Sequence, residues 1–268
     1  MYCSPRVNKN DKSRYDINQL RKIASAYNSR NGKNKISISG KTKNELWEAI
    51  RSRLSNEGCD DSLKYELCWI QKLDLANNSD LLERFRPVGP KGQKAWLSTS
   101  DINSVMKQYE DAYSGFIFFG PVPIDFATIN TELNNLDLYA LVRRDIKSVG
   151  IVFNMDPHDQ GGSHWVCMFI DLKRWNILYF DSFGICPPPQ EVVKLIKSIN
   201  NAAIEISGRE MVVKCNKIQH QLQNAECGVY CIYFIVESLK GRSFDNICKS
   251  IILDDEINQY RKLFFRPS

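Results

Sequence analysis

Hydrophobic residues recur at helical spacing in the first part of the chain. Between Asp16 and Tyr27 the apolar positions lie three or four residues apart, which predicts a short amphipathic helix. A second helix is predicted from Thr42, because Thr42 and Glu45 have the spacing of a capping box and apolar residues follow on one face. Residues 60–85 continue this helical pattern.

The segment 86–93 interrupts the pattern with two prolines and two glycines in eight residues. Proline and glycine together favour turns and linkers, so this is the best domain boundary in the chain. We therefore predict a helical N-terminal arm over residues 1–56, a helical connector over 57–94 and a larger domain over 95–268.

Short apolar runs with strand character dominate the larger domain. Residues 149–154 predict a buried strand, and residues 165–170 and 175–180 predict a hairpin joined by a short, mostly polar link. An apolar segment of helical length follows at 227–239. The predicted fold class is α+β, with a central, mostly antiparallel sheet flanked by helices.

Composition adds few constraints. Hydrophobic residues make up 43% and charged residues 25% of the chain, and no apolar run approaches the length of a membrane span. We expect a cytosolic or nuclear location, since the N-terminus lacks the apolar stretch of a signal peptide.

Nine cysteines without CxxC pairs and only three histidines argue against a zinc cluster. We expect no metal or other cofactor and mostly reduced thiols, with pairing of Cys3 and Cys59 left open.

Charge is concentrated at the N-terminus. Residues 1–56 contain 13 Lys and Arg against 4 Asp and Glu, which suggests a polyanion partner or, alternatively, a solvated lysine-rich face. The stretch 38–46 and the preceding helix resemble a SAP-type module. That resemblance implies nucleic-acid binding through residues 1–56, whereas a two-helix docking module is the alternative.

The stretch Glu226-Cys227-Gly228 ends a polar run and begins the apolar helix. A cysteine in the first turn of a buried helix is exposed to free backbone N–H groups and to the helix dipole, which favour the thiolate over the thiol. Cys227 is therefore a candidate nucleophile. The alternative is an inert cysteine at the start of a core helix.

Three polar residues upstream could complete a catalytic site. His164 lies where a glycine-rich loop enters a strand, and Asp181 follows the second strand of the hairpin, where it could accept the imidazole Nδ1 proton. Gln221 could stabilise an oxyanion together with the backbone N–H of Cys227. Taken singly, an aspartate after a strand favours a turn and a loop glutamine favours solvent, but the ordered set favours catalysis.

His164-Trp165, Asp181 and Gln221 with Cys227-Gly228 resemble the catalytic series of the adenain and SUMO-protease superfamily of cysteine peptidases (Ulp-like, clan CE). Papain-type enzymes place the cysteine first in the chain and match poorly. The resemblance covers residues 95–265. The segment 83–90 extends it to the branch of polyprotein-processing proteases of large DNA viruses, including that of African swine fever virus. This branch can carry Asn in place of Asp181.

The resemblance implies a thiol endopeptidase that cleaves viral structural polyproteins after Gly-Gly during virion maturation, located in the virion and the host cytoplasm. It also implies that Trp165 roofs a narrow substrate channel and that Asn154 contacts substrate. A deconjugating protease for SUMO- or ubiquitin-like proteins is the first alternative. The second is a nucleic-acid-binding adaptor that acts through residues 1–56 and retains a vestigial protease fold. The sequence leaves the oligomeric state open.

Overall fold

A computed structural model describes residues 4–5, 13–60, 65–92 and 94–266. The chain forms two compact units, Met1–Pro87 and Val88–Ser268. The division between them falls inside the proline- and glycine-rich segment 86–93. The structure does not separate the predicted connector (57–94) from the predicted arm (1–56), because the helices of both segments pack in one hydrophobic core.

The first unit contains helices α1 (Ile17–Arg30), α2 (Lys43–Ser55), α3 (Tyr65–Lys72) and α4 (Ser79–Leu82). Capping boxes begin α1, at Asp16 and Gln19, and α2, at Thr42 and Glu45. Each box satisfies backbone N–H groups that a helix start leaves without partners. Apolar faces of these helices pack around Trp69, which is fully buried.

The cysteines depart from the expectation of mostly reduced thiols. Cys59 is bonded to Cys68, with Cα atoms 5.7 Å apart, and Cys186 is bonded to Cys215, with Cα atoms 6.1 Å apart. Cys3 lies outside the described residues, and the bond to Cys68 occupies the Cys59 thiol that the alternative pairing would need. The free cysteines of the described residues are all buried, at positions 167, 227, 231 and 248.

The second unit follows the order α5, β1, a short 3-10 helix, α6, β2, β3, β4, α7, β5, α8, α9 and α10. Its elements are α5 (Thr99–Ala112), β1 (Phe116–Pro123), the 3-10 helix (Glu132–Asn135), α6 (Leu138–Arg143), β2 (Ser148–Asn154), β3 (Trp165–Asp171), β4 (Asn176–Phe180), α7 (Gln190–Ser207), β5 (Val212–Cys215), α8 (Cys227–Leu239), α9 (Phe244–Lys249) and α10 (Asp254–Phe264).

The five strands form one sheet in the order β1-β2-β3-β4-β5. The α+β prediction and the β3–β4 hairpin are both found. The sheet is mixed rather than mostly antiparallel, because β1 and β5 join its two edges in parallel while the central pairs β2–β3 and β3–β4 are antiparallel. Parallel neighbours require crossover connections, and α6 and α7 lie in those connections.

Strand β3 is buried on both faces and separates two hydrophobic cores. Cys167 and Phe169 point into the core that contains α8 and α5, whereas Val166 and Met168 point into the core against α7. This alternation follows from the two-residue period of a strand. Helix α8 thereby lies against β3, with its first residue near the start of that strand. Within the described ranges, no helix is long and apolar enough to cross a membrane.

Candidate active site

The β3–β4 hairpin brings His164 and Asp181 together. His164 immediately precedes β3 and Asp181 immediately follows β4, and these two ends lie side by side because the strands are antiparallel. The imidazole Nε2 lies 2.8 Å from Asp181 Oδ1. The predicted pairing is present but uses Nε2 rather than Nδ1. Nδ1 is consequently the ring nitrogen that remains for a proton transfer with another group.

Asp181 is held in place by its own loop. Its side chain is buried, and Oδ1 accepts a second hydrogen bond, at 2.8 Å, from the backbone N–H of Phe183. The Phe183 ring stacks on the His164 imidazole with 4.6 Å between ring centroids. Asn216 donates to the Asp181 carbonyl at 2.9 Å. The imidazole is therefore oriented by a carboxylate on its edge and an aromatic ring on its face.

The environment of His164 favours the imidazolium. Burial lowers the pKa of His164, but hydrogen bonds with Asp181 and Cys227 and the charges of both groups outweigh it and raise the pKa to about 9. Only 13% of the His164 side chain is exposed, so solvent screens these interactions weakly. A protonated imidazole beside a cysteine favours the thiolate form of that cysteine.

Cys227 is the first residue of α8 and is 2% exposed. A side chain in place of Gly228 would crowd the site, because a Cβ there would lie 3.0 Å from Leu97 Cβ and 3.3 Å from Trp165 Cδ1. Glycine therefore lets the start of the helix approach β3 and the segment before α5. Cys227 thus lies at the end of α8 where the helix dipole is positive.

Gln221 is fully buried in the loop before α8. Its Oε1 accepts a hydrogen bond from the Ser182 hydroxyl at 2.6 Å, and its Nε2 donates to the Gln223 carbonyl at 2.6 Å. Since a primary amide has two N–H donors, one hydrogen remains for a further acceptor. Neighbouring residues thus fix the orientation of this amide, whereas a glutamine side chain in an ordinary loop is solvated.

Sequence reasoning did not assign two residues that hold this loop. Ser182 contacts the Gln221 amide directly, and Asp254 Oδ2 accepts hydrogen bonds from the backbone N–H groups of Leu222 and Gln223, each at 2.9 Å. Asp254 begins α10, where an acidic residue is ordinary in sequence. Its near-complete burial distinguishes it, and burial at a helix start cannot be read from periodicity.

Trp165 and Asn154 are cross-strand partners and both line a cleft of about 510 Å³. The Trp165 indole N–H donates to the Leu97 carbonyl at 2.9 Å, which fixes the ring between the cleft and Gly228. Gly162 has a φ of +84°, and a Cβ there would lie 2.5 Å from Asn154 Nδ2. The glycine loop therefore passes closely over Asn154.

The remaining cleft wall combines apolar and polar groups. Its lining comprises Trp96, Leu97, Ser98, Thr99, Pro121, Val122, Pro123, Ile129, Asn154, Asp156, Pro157, His158, Gln160, Gly161, Gly162 and Trp165. Trp165, which is part of this wall, directly follows His164 in the chain.

The other two histidines take different positions. His220 is buried with Nε2 3.0 Å from the Cys248 carbonyl oxygen, and burial lowers the pKa of His220. His158 lies on the cleft wall, and its hydrogen bond with Asp125 raises the pKa of the imidazole. Cys227 contributes to the pKa of His164 but not to that of either of these histidines. Within the described residues, no group of three or more His, Cys, Asp or Glu side chains could hold a metal ion.

A thiol at a helix N-terminus, an imidazole that interacts with it and a buried carboxylate on that imidazole are the parts of a cysteine peptidase. The comparisons with known proteins agree with this class. Residues 135–265 match the family model of the Ulp1 protease family, C-terminal catalytic domain. A protein of Acanthamoeba polyphaga mimivirus named as a thiol protease is 31% identical, with 98% of this chain and 93% of that protein covered.

A SUMO-1 cysteine protease of African swine fever virus is 24% identical over 85% of this chain and 90% of its own length. The crystal structure of an African swine fever virus protease has the same fold, with a TM-score of 0.70 and 20% identity, covering 100% of this chain and 96% of that one. The chain belongs to the Ulp1 family of cysteine proteases, and the recognised relationship to the SUMO-protease superfamily is confirmed.

Proposed function

We propose that this protease uses Cys227 as the nucleophile, His164 as the general base and acid, Asp181 as the orienting group and Gln221 as an oxyanion donor. The observation that carries the proposal is the position of the His164 imidazole, which hydrogen-bonds Asp181 and interacts with the thiol that begins α8. This is the arrangement that nucleophilic acyl transfer requires.

In the proposed mechanism, the Cys227 thiolate attacks the carbonyl carbon of the scissile bond, forming a C–S bond while the carbonyl π electrons move to oxygen. The Cys227 N–H and the remaining Gln221 amide hydrogen stabilise that oxyanion. Collapse of the intermediate breaks the C–N bond as His164 protonates the leaving amine. Water, deprotonated by His164, then hydrolyses the thioester and regenerates the thiol.

We further propose cleavage after Gly-Gly, in viral structural polyproteins processed during virion maturation, in the virion and the host cytoplasm. The Trp165 ring supports this preference, because it lines the cleft one residue after His164, where it would cover the substrate residues next to the scissile bond. Asn154, on the cleft wall and paired with Trp165 across the strands, is the proposed contact for the preceding substrate residues. The similarity to proteases of two large DNA viruses supports a viral context for this activity.

Deconjugation of SUMO- or ubiquitin-like proteins is the competing function, because one similar protein is named as a SUMO-1 cysteine protease. Wild type and Cys227→Ala should be incubated with a viral-type Gly-Gly-X peptide, a matched Ala-Ala-X peptide and SUMO- and ubiquitin-like precursors. We expect cleavage of the Gly-Gly-X peptide by wild type alone. Cleavage that survives Cys227→Ala would overturn the mechanism, and cleavage of the modifier precursors alone would overturn the polyprotein assignment.

For residues 1–56 we propose nucleic-acid binding. Several basic side chains of this segment are solvent-exposed, among them Lys33, Lys35 and Arg53. Phosphate contacts by such groups release counterions, so binding should weaken as salt rises. Full-length protein is expected to bind DNA at 50 mM salt and to lose affinity at 200 mM, less steeply in a Lys33→Gln, Lys35→Gln, Arg53→Gln variant. Salt-independent binding, or none, would refute this proposal.

A further inference from the structure

Helix α10 holds the two residues that precede the nucleophile. Glu226 is fully buried, and its carboxylate accepts hydrogen bonds from the Ala225 N–H and from Asn258 Nδ2, each at 2.9 Å. Arg261 Nη2 donates to the Ala225 carbonyl at 3.0 Å, and Arg261 Nε donates to Asn258 Oδ1 at 2.8 Å. Helix α10 thus binds the segment entering α8 through the Ala225 carbonyl and the Glu226 side chain, while the Ala225 N–H is satisfied by Glu226 within the segment itself.

Besides linking α10 to the segment before α8, Arg261 carries a buried positive charge. Arg261 is 9% exposed, and within the described part of the chain its buried Nη1 has no hydrogen-bond partner. A buried polar group without a partner is costly and often marks a functional role. Burial lowers the pKa of Arg261, and the negative charges of Glu226, Cys227 and Asp101 oppose that effect. The guanidinium charge therefore lies within electrostatic range of Glu226 and Cys227.

A carboxylate in the residue before a nucleophilic cysteine disfavours the thiolate, because two negative charges are then close together in a poorly solvated site. Arg261 brings an opposite charge to this segment, since its Nη2 donates to the carbonyl of Ala225, the residue before Glu226. We propose that Arg261 is a positioning residue for Cys227, which neutralises buried Glu226 and fixes the entry to α8 so that the thiolate forms and faces the site. This inference rests on the proposed function, in which Cys227 is the nucleophile.

The other charged groups around this pair define what loss of Arg261 would do. His164 approaches from the start of β3 and Asp181 from the end of β4, while Asp101 lies in the first turn of α5. Without Arg261, His164 would be the one positive charge among these groups, against the carboxylates of Asp181, Asp101 and Glu226. The thiolate would then be less favoured, and removal of the Glu226 charge should compensate.

The test is the pH dependence of alkylation by iodoacetamide, in which the thiolate forms a C–S bond and iodide leaves. Modified Cys227 is quantified by peptide mass spectrometry in full-length wild type, Arg261→Gln, Glu226→Gln and the double variant. We expect the pH of half-maximal rate to rise by about one unit in Arg261→Gln, to fall in Glu226→Gln and to return near the wild-type value in the double variant.

Lys262→Gln is the matched control, since it removes a positive charge from an exposed neighbouring position of α10. It should leave the alkylation profile unchanged. Arg261→Lys keeps the charge and should keep the wild-type midpoint. If circular dichroism shows that Arg261→Gln does not fold, Glu226→Gln and Arg261→Lys carry the test.

Identical midpoints in wild type, Arg261→Gln and Glu226→Gln, with cleavage reduced equally at every pH, would overturn the inference and leave a purely structural tie. Failure of the proposed function looks different, because Cys227→Ala would then retain cleavage or wild-type Cys227 would resist alkylation. A Cys227 that alkylates and is required for cleavage, without any midpoint shift, overturns only the role of Arg261.

Discussion

Two buried carboxylates, Glu66 in the first unit and Asp181 in the second, show how the same chemical group takes different roles. Glu66 is fully buried and accepts hydrogen bonds from the Ser13 hydroxyl at 2.8 Å, the Trp47 indole at 2.8 Å and the Arg14 guanidinium at 2.7 Å. Asp181 is equally inaccessible, but it accepts from the His164 imidazole and a backbone N–H.

The difference lies in the partner rather than in the carboxylate. The indole, hydroxyl and guanidinium around Glu66 keep their protons over the whole physiological pH range. The imidazole on Asp181 can gain and lose a proton, and its second nitrogen is available to the thiol of Cys227. A buried carboxylate with fixed-proton partners stabilises a core, whereas one bound to an imidazole can support proton transfer. The following substitutions test that distinction.

Asp181→Ala should have the largest effect on catalysis. Without the carboxylate the imidazole loses its orientation and its imidazolium is no longer stabilised, so kcat should fall by about 10³- to 10⁴-fold. Steady-state peptide cleavage measures this change. Asp171→Ala is the control, because Asp171 is also buried and ends β3 at the other end of the hairpin. Equal losses of kcat in both variants would contradict a catalytic role for Asp181.

Gln221→Ala should reduce kcat by about 100- to 1000-fold with little change in KM, because the amide donates to charge that develops only in the transition state. Gln221→Glu replaces the donor with an acceptor of the same shape and should be at least as impaired. A variant that raises KM alone would instead assign Gln221 to ground-state binding.

Glu66→Ala should affect folding rather than chemistry. Removing the carboxylate leaves the Arg14 charge and the Trp47 N–H without their buried acceptor, at a cost of about 3 kcal/mol in the free energy of unfolding of the first unit. Urea unfolding followed by tryptophan fluorescence measures it. We expect kcat of the folded variant to stay within about twofold of wild type. A loss of kcat comparable to that of Asp181→Ala would contradict the distinction between a structural and a catalytic carboxylate.

The pH dependence of stability and rate tests the imidazolium of His164 itself. The folded-state pKa of about 9 lies above the ordinary value of 6.5, so the stabilisation by the imidazolium is fully present below about pH 6.5 and is lost as pH rises through about 9. Wild type should lose stability relative to His164→Gln across this window. The rate should also fall by about tenfold per pH unit above 9 as the general acid loses its proton. If the two proteins showed the same dependence of stability on pH, the raised pKa of His164 would be excluded.

The catalytic candidates could be chosen from the sequence because they stand at the ends of elements. His164 before one strand and Asp181 after the next must meet if the hairpin forms, and Cys227 begins an apolar helix that has to be buried. Which imidazole nitrogen faces Asp181 could not be predicted, because it depends on the rotation of the side chain in three dimensions.

The contacts of α10 with residues 225 and 226 could not be predicted from the sequence, for a different reason. Asn258 and Arg261 lie more than thirty residues from Glu226 and fall between the apolar positions of an amphipathic helix, where polar residues ordinarily face solvent. The same limit affected the first unit. The periodicity of α3 shows that one face is apolar but not which core receives it, so its packing with α1 and α2 was missed.

The central proposal is that the Cys227 thiolate attacks the carbonyl carbon of the second glycine in a Gly-Gly sequence. A peptide that ends in Gly-Gly with a Michael acceptor in place of the scissile bond tests it most directly, since only a positioned thiolate forms the thioether. Intact mass and peptide mapping of the full-length protein should show a single adduct on Cys227, strongly reduced in His164→Ala and with an Ala-Ala probe. An adduct on Cys231 or Cys248, or equal labelling by both probes, would contradict the account.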